Sequence, residues 1–325
     1  MAYAIGVDLG GSHVMATLVD GNGELSTKHE IDLDDHTPSV VFGHVTTVIR
    51  AALADAKDAP IAGIGIGSPG NIDPLTGTIR YSPNFGWTDV PLGETLRGAF
   101  AQPVFVANDA RCATLGEYVH GAGRGSKNFV LLTLGTGIGG GIIADGQLLL
   151  GNQMGAGEVG HHQIRARDGF ICGCGKIGCF EAQASGTGLL RHAFAVAPSF
   201  PRSRLLDLDR EKLGSKAIRK AAQNGDGHAK AAWKNWTTDL AQGLANVIAF
   251  VNPEVIALGG GVSSAGAFML DPIRPLVEEL TTMVPRGTTR LVTALLGNDA
   301  GAVGAATMAM RGGLYAEERQ PVTPH

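Results

Sequence analysis

Aromatic and charged side chains are scarce in this sequence. Aromatic types account for 6% and charged types for 17% of its 325 residues, and 26 Lys plus Arg stand against 30 Asp plus Glu. Without a basic excess, the chain lacks the charge that attracts nucleic acid or an anionic membrane. No apolar run is long enough to span a bilayer, and the first residues lack the features of a signal peptide. We therefore expect a cytoplasmic protein with no nucleic-acid or membrane partner.

Cysteine is also scarce, and its placement argues against a disulfide scaffold. Three of the four cysteines crowd together after His161, as Cys172, Cys174 and Cys179. Three thiolates and one imidazole are the ligand set of a closed tetrahedral zinc site. The sequence therefore predicts a structural zinc site, and the alternative is a group of reduced, buried cysteines with an unrelated histidine. Cys112 stands apart, and we expect it to be a small buried apolar residue.

Glycine, in contrast, is abundant, with 48 residues and no collagen-like period. Three glycine-rich turns follow strand-like runs, and such turns let backbone N–H groups converge on anionic oxygens. They give the candidate nucleotide-binding residues: Asp8 with Gly10, Gly11 and Ser12; Gly135, Thr136 and Gly137; and Gly259, Gly260 and Gly261. Their spacing is neither that of a Walker loop nor that of a dinucleotide fingerprint. The three turns together predict a phosphate-binding site, although one such turn alone is more often a plain hairpin.

The length of the chain and its alternating strand-like and helix-like segments predict an α/β protein of two lobes. We place a small lobe at residues 1–115, completed by a C-terminal helix at 299–313, and a large lobe at 116–298. Superposing residues 9–22 on residues 134–147 aligns a glycine turn and a following Asp-Gly pair. This match indicates either two related lobes or a coincidence between two glycine-rich hairpins.

Asn108 and Asp109 separate a strand-like run, residues 104–107, from a helix-like run, residues 110–118. Asp109 in this place is either the N-cap of the helix or a base that accepts a proton from a substrate hydroxyl, with Asn108 orienting the acceptor. Both roles are compatible with one residue.

Glu158 and Glu181 flank the predicted metal loop. Each lies within three residues of a predicted ligand, so an ordered loop would hold both carboxylates ready to accept hydrogen bonds from substrate hydroxyls. The alternative is that both are solvated surface carboxylates.

Together these motifs resemble the ROK family (repressors, uncharacterised reading frames and sugar kinases), and within it the zinc-containing bacterial glucokinases. The resemblance covers nearly the whole chain. It rests on residues 8–11, 67–70, 108–109, the turn at 135, residues 158–161, the cysteine segment 172–181 and residues 259–261.

The resemblance implies an actin-like, hexokinase-type fold of two lobes around a central cleft. It also implies ATP-dependent phosphorylation of the 6-hydroxyl of a hexose, with glucose the first candidate, and a homodimer or higher homo-oligomer. Asp109 is the implied catalytic base, and Asp8 is implied to help hold Mg²⁺ with ATP while the glycine turns bind the nucleotide. The implied sugar-binding residues are Gly70, Asn84, Asn108, Asp109, Glu158, His161 and Glu181. His161 would bind zinc with one ring nitrogen and a sugar hydroxyl with the other.

One position departs from the family pattern. The first turn of the family usually reads Gly-Gly-Thr-Lys, and here Ser12 and His13 follow the two glycines. Ser12 keeps the hydroxyl of the family's threonine. His13 replaces the lysine and removes its permanent charge, so whether this residue contacts a phosphate stays open.

Three further questions stay open at the level of the sequence. The sugar could be N-acetylmannosamine, fructose, mannose or allose in place of glucose, and the donor could be polyphosphate in place of ATP. The chain could also be a non-catalytic, sugar-sensing ROK protein.

Overall fold

The computed structural model describes residues 2–152, 154–203, 205 and 213–314. The chain divides into two compact units. Among the described residues, the first comprises residues 2–125, 141–156 and 296–314, and the second comprises residues 126–140 and 157–295. This division differs from the predicted lobes at residues 116–125, 141–156 and 296–298, which belong to the first unit.

Strands and helices alternate along the chain. The first part contains β1 (Tyr3–Leu9), β2 (His13–Asp20), β3 (Leu25–Asp32), α1 (Pro38–Asp55), β4 (Ile61–Ser68), β5 (Asn71–Asp73), β6 (Thr78–Ser82), β7 (Trp87–Val90), α2 (Leu92–Ala99), β8 (Val104–Asn108) and α3 (Asp109–His120). The rest contains β9 (Phe129–Leu134), β10 (Ile138–Ala144), β11 (Gln147–Leu148), α4 (Phe180–Ala184), α5 (Gly186–Val196), α6 (Ser215–Gln223), α7 (Gly227–Val251), β12 (Val255–Gly259), α8 (Ala267–Leu280), β13 (Arg290–Thr293) and α9 (Ala300–Met310).

Two five-stranded sheets share one topology. Their strand orders are β3-β2-β1-β4-β8 and β11-β10-β9-β12-β13. In each sheet the first two strands of this order pair with each other in antiparallel direction. The last three strands are parallel to one another. A coincidence between two short hairpins does not account for five strands in the same order, so the topology favours the interpretation of the sequence match as an internal repeat. A separate three-stranded sheet, β5-β6-β7, belongs to the first unit.

The small-residue helix α9 packs closely on β1 and β4 of the first unit. A Cβ atom on Gly6 would overlap the carbonyl oxygen of Ala302, and one on Gly65 would overlap that of Ala305. The helix is buried along almost its whole length, and its alanines and glycines let its backbone approach the sheet. From the spacing of small residues such as Ala302 and Ala305, the sequence predicts a helix that packs closely against another element, and this packing confirms the prediction.

Helix α7 begins three residues earlier than the sequence predicts, at Gly227 and not at Lys230. The cause is an N-cap, because the Asp226 side chain accepts a hydrogen bond from the N–H of Ala229 at 2.8 Å. The helix ends as predicted, where Asn252 adopts a left-handed conformation ahead of Pro253.

Two further expectations concern the chain as a whole. Within residues 2–152, 154–203 and 213–314, no helix combines the length and the apolar character that crossing a membrane requires. The C-terminal segment 317–325, which the sequence predicts to be frayed, lies outside the described residues.

Candidate active site and metal centre

Asn108 and Asp109 lie where β8 meets α3. Asn108 is the N-cap, because its side-chain oxygen accepts a hydrogen bond from the N–H of Arg111 at 3.2 Å. Asp109 is the first residue of the helix, and its Oδ1 accepts from the N–H of Ala110 at 2.8 Å. The predicted cap at Asp109 is therefore wrong by one residue. The carboxylate of Asp109 accepts a hydrogen bond within the first turn of the helix, which is compatible with the predicted role of a base.

Asn108 also connects to the turn at Gly70. Its Nδ2 donates to the carbonyl oxygen of Gly70 at 3.1 Å. Gly70 has a φ of +119°, and a Cβ there would overlap the carbonyl oxygen of Tyr81, so only glycine fits. The structure thus brings together three of the predicted sugar-binding residues, Gly70, Asn108 and Asp109.

Asp8 lies near Asp109 because the strands that carry them are in register. Asp8 pairs with Gly67 on β4, and Gly67 pairs with Ala107 on β8. The pKa of Asp8 is raised to about 6, first by burial and then by the neighbouring carboxylate of Asp109, with Asp299 adding a smaller effect and His13 opposing it. Two carboxylates in a partly desolvated place favour a bound cation or a shared proton.

The β1–β2 turn has tight geometry and a polar neighbour. The N–H of Gly10 donates to the carbonyl oxygen of His13 at 2.9 Å, which closes the turn around Gly11 and Ser12. The exposed side chain of Asn84 lies beside it, with its Nδ2 3.8 Å from the position that a Cβ on Gly11 would occupy. A predicted sugar-binding residue therefore lies next to a predicted phosphate-binding turn.

A cavity of about 350 Å³ opens in the second unit beside the other two glycine turns. It is lined by Leu134, Gly135, Thr136, Gly186, Thr187, Leu190, Gly214, Ser215, Gly261 and Val262. Gly260 has a φ of +80°, and a Cβ there would lie 2.6 Å from the carbonyl oxygen of Leu134, so the two turns pack together. The volume lies within the range of pockets that bind small molecules.

Sequence reasoning missed the parts of this cavity that the starts of α5 and α6 provide. These parts are Gly186 with Thr187 and Gly214 with Ser215. Ser185 is the N-cap of α5, since its Oγ accepts from the N–H of Gly188 at 3.1 Å. The Ser-Gly and Gly-Ser pairs at helix starts were the available signal, because N–H groups at helix N-termini suit anionic ligands.

His161, Cys172, Cys174 and Cys179 form one cluster in the second unit. Their ligand atoms all lie within 4.8 Å of one another. Cys172 Sγ is 3.7 Å from His161 Nδ1, and Cys174 Sγ is 3.6 Å from Cys179 Sγ. Ligands about 2.1–2.3 Å from a tetrahedral zinc ion lie at such separations from one another, so the donor set and its geometry fit this metal. A hydrogen bond from the Lys176 N–H lowers the pKa of Cys174 to about 7, which favours a metal-binding thiolate.

The loop that carries these ligands folds by its own short-range contacts. The N–H of Cys172 donates to the carbonyl oxygen of Lys176 at 2.8 Å, and the N–H of Gly175 donates to that of Cys172 at 2.9 Å. Gly178 has a φ of +75°, and a Cβ there would overlap the carbonyl oxygen of Arg165. The knuckle therefore requires glycine at this position.

An ion pair with one buried partner also holds the loop to α5 and α7. Arg165 Nε lies 2.6 Å from Asp239 Oδ1, and His192 Nε2 lies 3.1 Å from the other carboxylate oxygen. Asp239 and His192 are almost fully buried. The loop thus has an attachment that involves none of the four candidate ligands.

Glu181 connects the metal cluster to the Gly135 turn. Its Oε2 accepts from the N–H of Ile138 at 3.0 Å, and its Oε1 lies 3.5 Å from Cys172 Sγ. A Cβ on Gly137 would overlap the same carboxylate. Glu181 is therefore fixed in place and is no freely solvated surface carboxylate. Glu158, in contrast, has an exposed side chain, and its carbonyl oxygen accepts from the N–H of His161 at 3.1 Å.

Comparison with known proteins gives concordant matches over almost the whole chain. The chain is 38% identical to a glucokinase of Halalkalibacterium halodurans over 310 residues, which are 93% of each protein. A ROK family glucokinase from Streptomyces griseus, solved with glucose and AMPPNP, matches with a TM-score of 0.81 and 34% identity, covering 95% of this chain and 100% of that one. A ROK family transcriptional regulator, a homologue of the E. coli MLC protein, matches with a TM-score of 0.85 and 27% identity, covering 97% of this chain and 79% of that one.

These matches confirm the predicted actin-like, hexokinase-type fold class. The ROK family itself matches residues 4–311. On the motifs, the fold and these matches, the chain belongs to the ROK family.

Proposed function

We propose that this ROK protein is a glucokinase, which transfers the γ-phosphoryl group of ATP to the 6-hydroxyl of a hexose, with glucose as the preferred sugar. The observation that carries the proposal is the position of Asp109, next to the capping Asn108 and close to Asp8. Glucokinase relatives that match over nearly the full length support the same reaction.

In the proposed reaction, Asp109 accepts the proton of the 6-hydroxyl as the sugar oxygen attacks the γ-phosphorus. The bond from that phosphorus to the bridging oxygen breaks, and ADP leaves. The bond between Asn108 Nδ2 and Gly70 holds the strand end from which Asp109 projects. Asp8 is the carboxylate suited to Mg²⁺, which supplies charge neutralisation on the phosphates when it is bound with ATP.

We propose the hexose-binding residues that the resemblance implies, which are Gly70, Asn84, Asn108, Asp109, Glu158, His161 and Glu181. The glycine turns at residues 10–12, 135–137 and 259–261 are the proposed contacts of the ATP phosphates. The nucleoside fits the cavity beside Thr136 and Gly261.

The metal of the cysteine cluster is zinc in this proposal, held by His161, Cys172, Cys174 and Cys179. The role of zinc is to stiffen the loop that carries His161 and Glu181, and it takes no part in the chemistry. Because His161 Nδ1 faces Cys172, the other ring nitrogen is the one assigned to a sugar hydroxyl. We also retain the homodimer or higher homo-oligomer as a proposal.

A second candidate function is a non-catalytic sugar sensor. The match to a ROK transcriptional regulator with a TM-score of 0.85 favours it. Within the kinase proposal, a different hexose or polyphosphate as donor would leave the same reaction type, because a few hydroxyl contacts decide the choice of sugar.

The test is a coupled assay of ADP release with glucose, mannose, fructose, allose and N-acetylmannosamine, with ATP and polyphosphate compared as donors. Zinc is measured on the same preparation by elemental analysis. We expect turnover with ATP and glucose, the highest kcat/KM for glucose, and one zinc ion per chain. Sugar binding without turnover would favour the sensor, and full activity in zinc-free protein would remove the role given to the metal.

A further inference from the structure

His36 lies between β3 and α1, and the proposed function gives it no role. Its Nε2 is 2.7 Å from the carbonyl oxygen of Gly11. A carbonyl oxygen only accepts hydrogen bonds, so His36 Nε2 carries the proton and donates it. This bond fixes the direction of the Gly11 carbonyl within the first glycine turn.

The direction of that carbonyl sets the direction of the next N–H. The described residues contain no cis peptide bond, so the peptide between Gly11 and Ser12 is trans. In a planar trans peptide, the C=O of one residue and the N–H of the next point to opposite sides. A hydrogen bond from His36 on one side of the turn therefore aims the Ser12 N–H to the other side.

Glycine makes this control necessary. The absence of Cβ atoms at Gly10 and Gly11 lets the backbone of the turn adopt several conformations, and only some of them direct the Ser12 N–H toward an anion. The turn itself is closed by the bond from the Gly10 N–H to His13. That bond does not involve the Gly11 carbonyl, whose contact with His36 is a separate restraint.

His36 is itself held at its backbone and at its ring. Trp87 Nε1 donates to the carbonyl oxygen of His36 at 2.7 Å. The ring of Phe85 meets the His36 ring edge to face, with centroids 5.1 Å apart, and stacks on Trp87 at 4.4 Å. Phe85 and Trp87 are buried, so His36 contacts a rigid partner. These rings directly follow Asn84, which lies beside Gly11.

We propose that His36 is a positioning residue for the phosphoryl donor. It orients the Gly11–Ser12 peptide so that the Ser12 N–H faces the ATP phosphates, and it ties this turn to the Asn84 segment. The inference rests on the proposed function, because that function is what places phosphate at the turn. Substitution of a residue that orients a phosphate-binding N–H should weaken nucleotide binding and change hexose binding little.

The experiment measures binding of Mg-AMPPNP by calorimetry and the two KM values by ADP release, for full-length variants with zinc bound. His36→Leu removes the donor. His36→Gln keeps an N–H at a similar reach, so it tests the hydrogen bond apart from the ring. His29→Leu is the matched control, since His29 is also half-buried in the first unit and pairs with Asp55 at 2.8 Å.

We expect His36→Leu to weaken AMPPNP binding about five- to tenfold, as the loss of one hydrogen bond implies, with the hexose KM within about twofold of the wild type. His36→Gln restores binding to within about twofold, and His29→Leu leaves it unchanged. Trp87→Phe removes the bond to the His36 carbonyl and keeps an aromatic ring, although a smaller one, against Phe85. It serves if His36→Leu does not fold, and we expect it to weaken binding about two- to threefold.

Two results would overturn the inference. One is wild-type nucleotide binding in His36→Leu or, if that variant does not fold, in Trp87→Phe. The other is a His36→Gln protein as impaired as His36→Leu, which would assign the effect to the ring. A wild-type protein that neither binds AMPPNP nor releases ADP would instead overturn the proposed function, and the inference with it.

Discussion

At the residue scale, the proposed reaction depends on the carboxylate of Asp109. Asp109→Asn keeps an oxygen to accept from the Ala110 N–H, so α3 should start as before. An amide cannot take a proton from the sugar hydroxyl. We expect turnover to fall about 10²- to 10⁴-fold with glucose affinity and melting temperature nearly unchanged. ADP release, glucose calorimetry and thermal unfolding check this.

The control for that change is Asp58→Asn, which alters an exposed carboxylate of the same unit. It should retain wild-type turnover. Near-normal turnover in Asp109→Asn would remove Asp109 from the role of base and leave it a structural residue at the helix start.

Asp8 gives a pH-dependent prediction, also at the residue scale. Its pKa of about 6 in the folded protein exceeds the ordinary value of 3.8, so the folded state holds this proton more tightly than the unfolded state. Stability therefore falls as pH rises from about 4 to 6, and remains lower above that range. Asp8→Asn removes this cost, so at pH 8 the variant should be more stable by up to about 3 kcal/mol.

The measurement is urea unfolding at pH 4, 5 and 8 in the absence of Mg²⁺ and ATP. The advantage of Asp8→Asn should shrink toward pH 4, while kinase activity is lost at every pH. An equal stability difference at pH 4 and pH 8 would contradict the raised pKa.

At the scale of elements, the packing of α9 on β1 and β4 depends on glycine. A Cβ on Gly65 would overlap the backbone of Ala305, and backbone atoms in a helix cannot move aside singly. We expect Gly65→Ala to lower the free energy of unfolding by about 3 kcal/mol or more. Denaturant unfolding followed by circular dichroism measures the change.

Gly43→Ala is the matched control for that substitution. Gly43 lies in the middle of α1, is exposed, and has no atom within 4 Å of an added Cβ. There the same change should raise the free energy of unfolding by about 0.5–1 kcal/mol, because alanine restricts the unfolded chain and favours helix. If both variants shift in the same direction, close packing does not explain the glycine at position 65.

The metal loop shows at the element scale how a short sequence segment specifies a structure. Its three cysteines and their glycines lie within a few residues of each other, so backbone hydrogen bonds such as Cys172 to Lys176 form with little cost of loop closure. The spacing of the cysteines was therefore enough to predict the cluster. The attachment through Arg165, Asp239 and His192 was not predictable, because these residues come from three separate segments of the chain.

At the scale of the whole molecule, the four candidate ligands all belong to the second unit. We expect Cys174→Ser to lose most of its zinc, lower the melting temperature, and reduce hydrogen-exchange protection mainly at residues 157–185. Cys112→Ala is the control, since Cys112 is fully buried in the first unit and burial raises the pKa of its thiol. A Cys174→Ser protein with one zinc per chain would contradict the ligand assignment.

The cavity of the second unit marks what local patterns could not predict at this scale. The turns at Gly135 and Gly259 were identified from the sequence because in each of them glycines directly follow a buried strand. Thr187 and Ser215 were missed because they lie at starts of helices whose neighbours in space are set by the order of β9 and β12. Their residue types alone are common at any helix start.

The sequence by itself determined the glycine turns, the cluster of candidate metal ligands, the C-terminal end of α7 and the family to which the chain belongs, because each depends on neighbouring residues or on short motifs. Only the tertiary structure decided that Asp8 lies near Asp109 and that His36 bonds to Gly11. The physical reason is that strand register joins segments that are far apart in the chain. The register of β1, β4 and β8 brings Asp8 near Asp109, and the pairing of β2 with β3 brings His36 near Gly11; no local preference encodes such register.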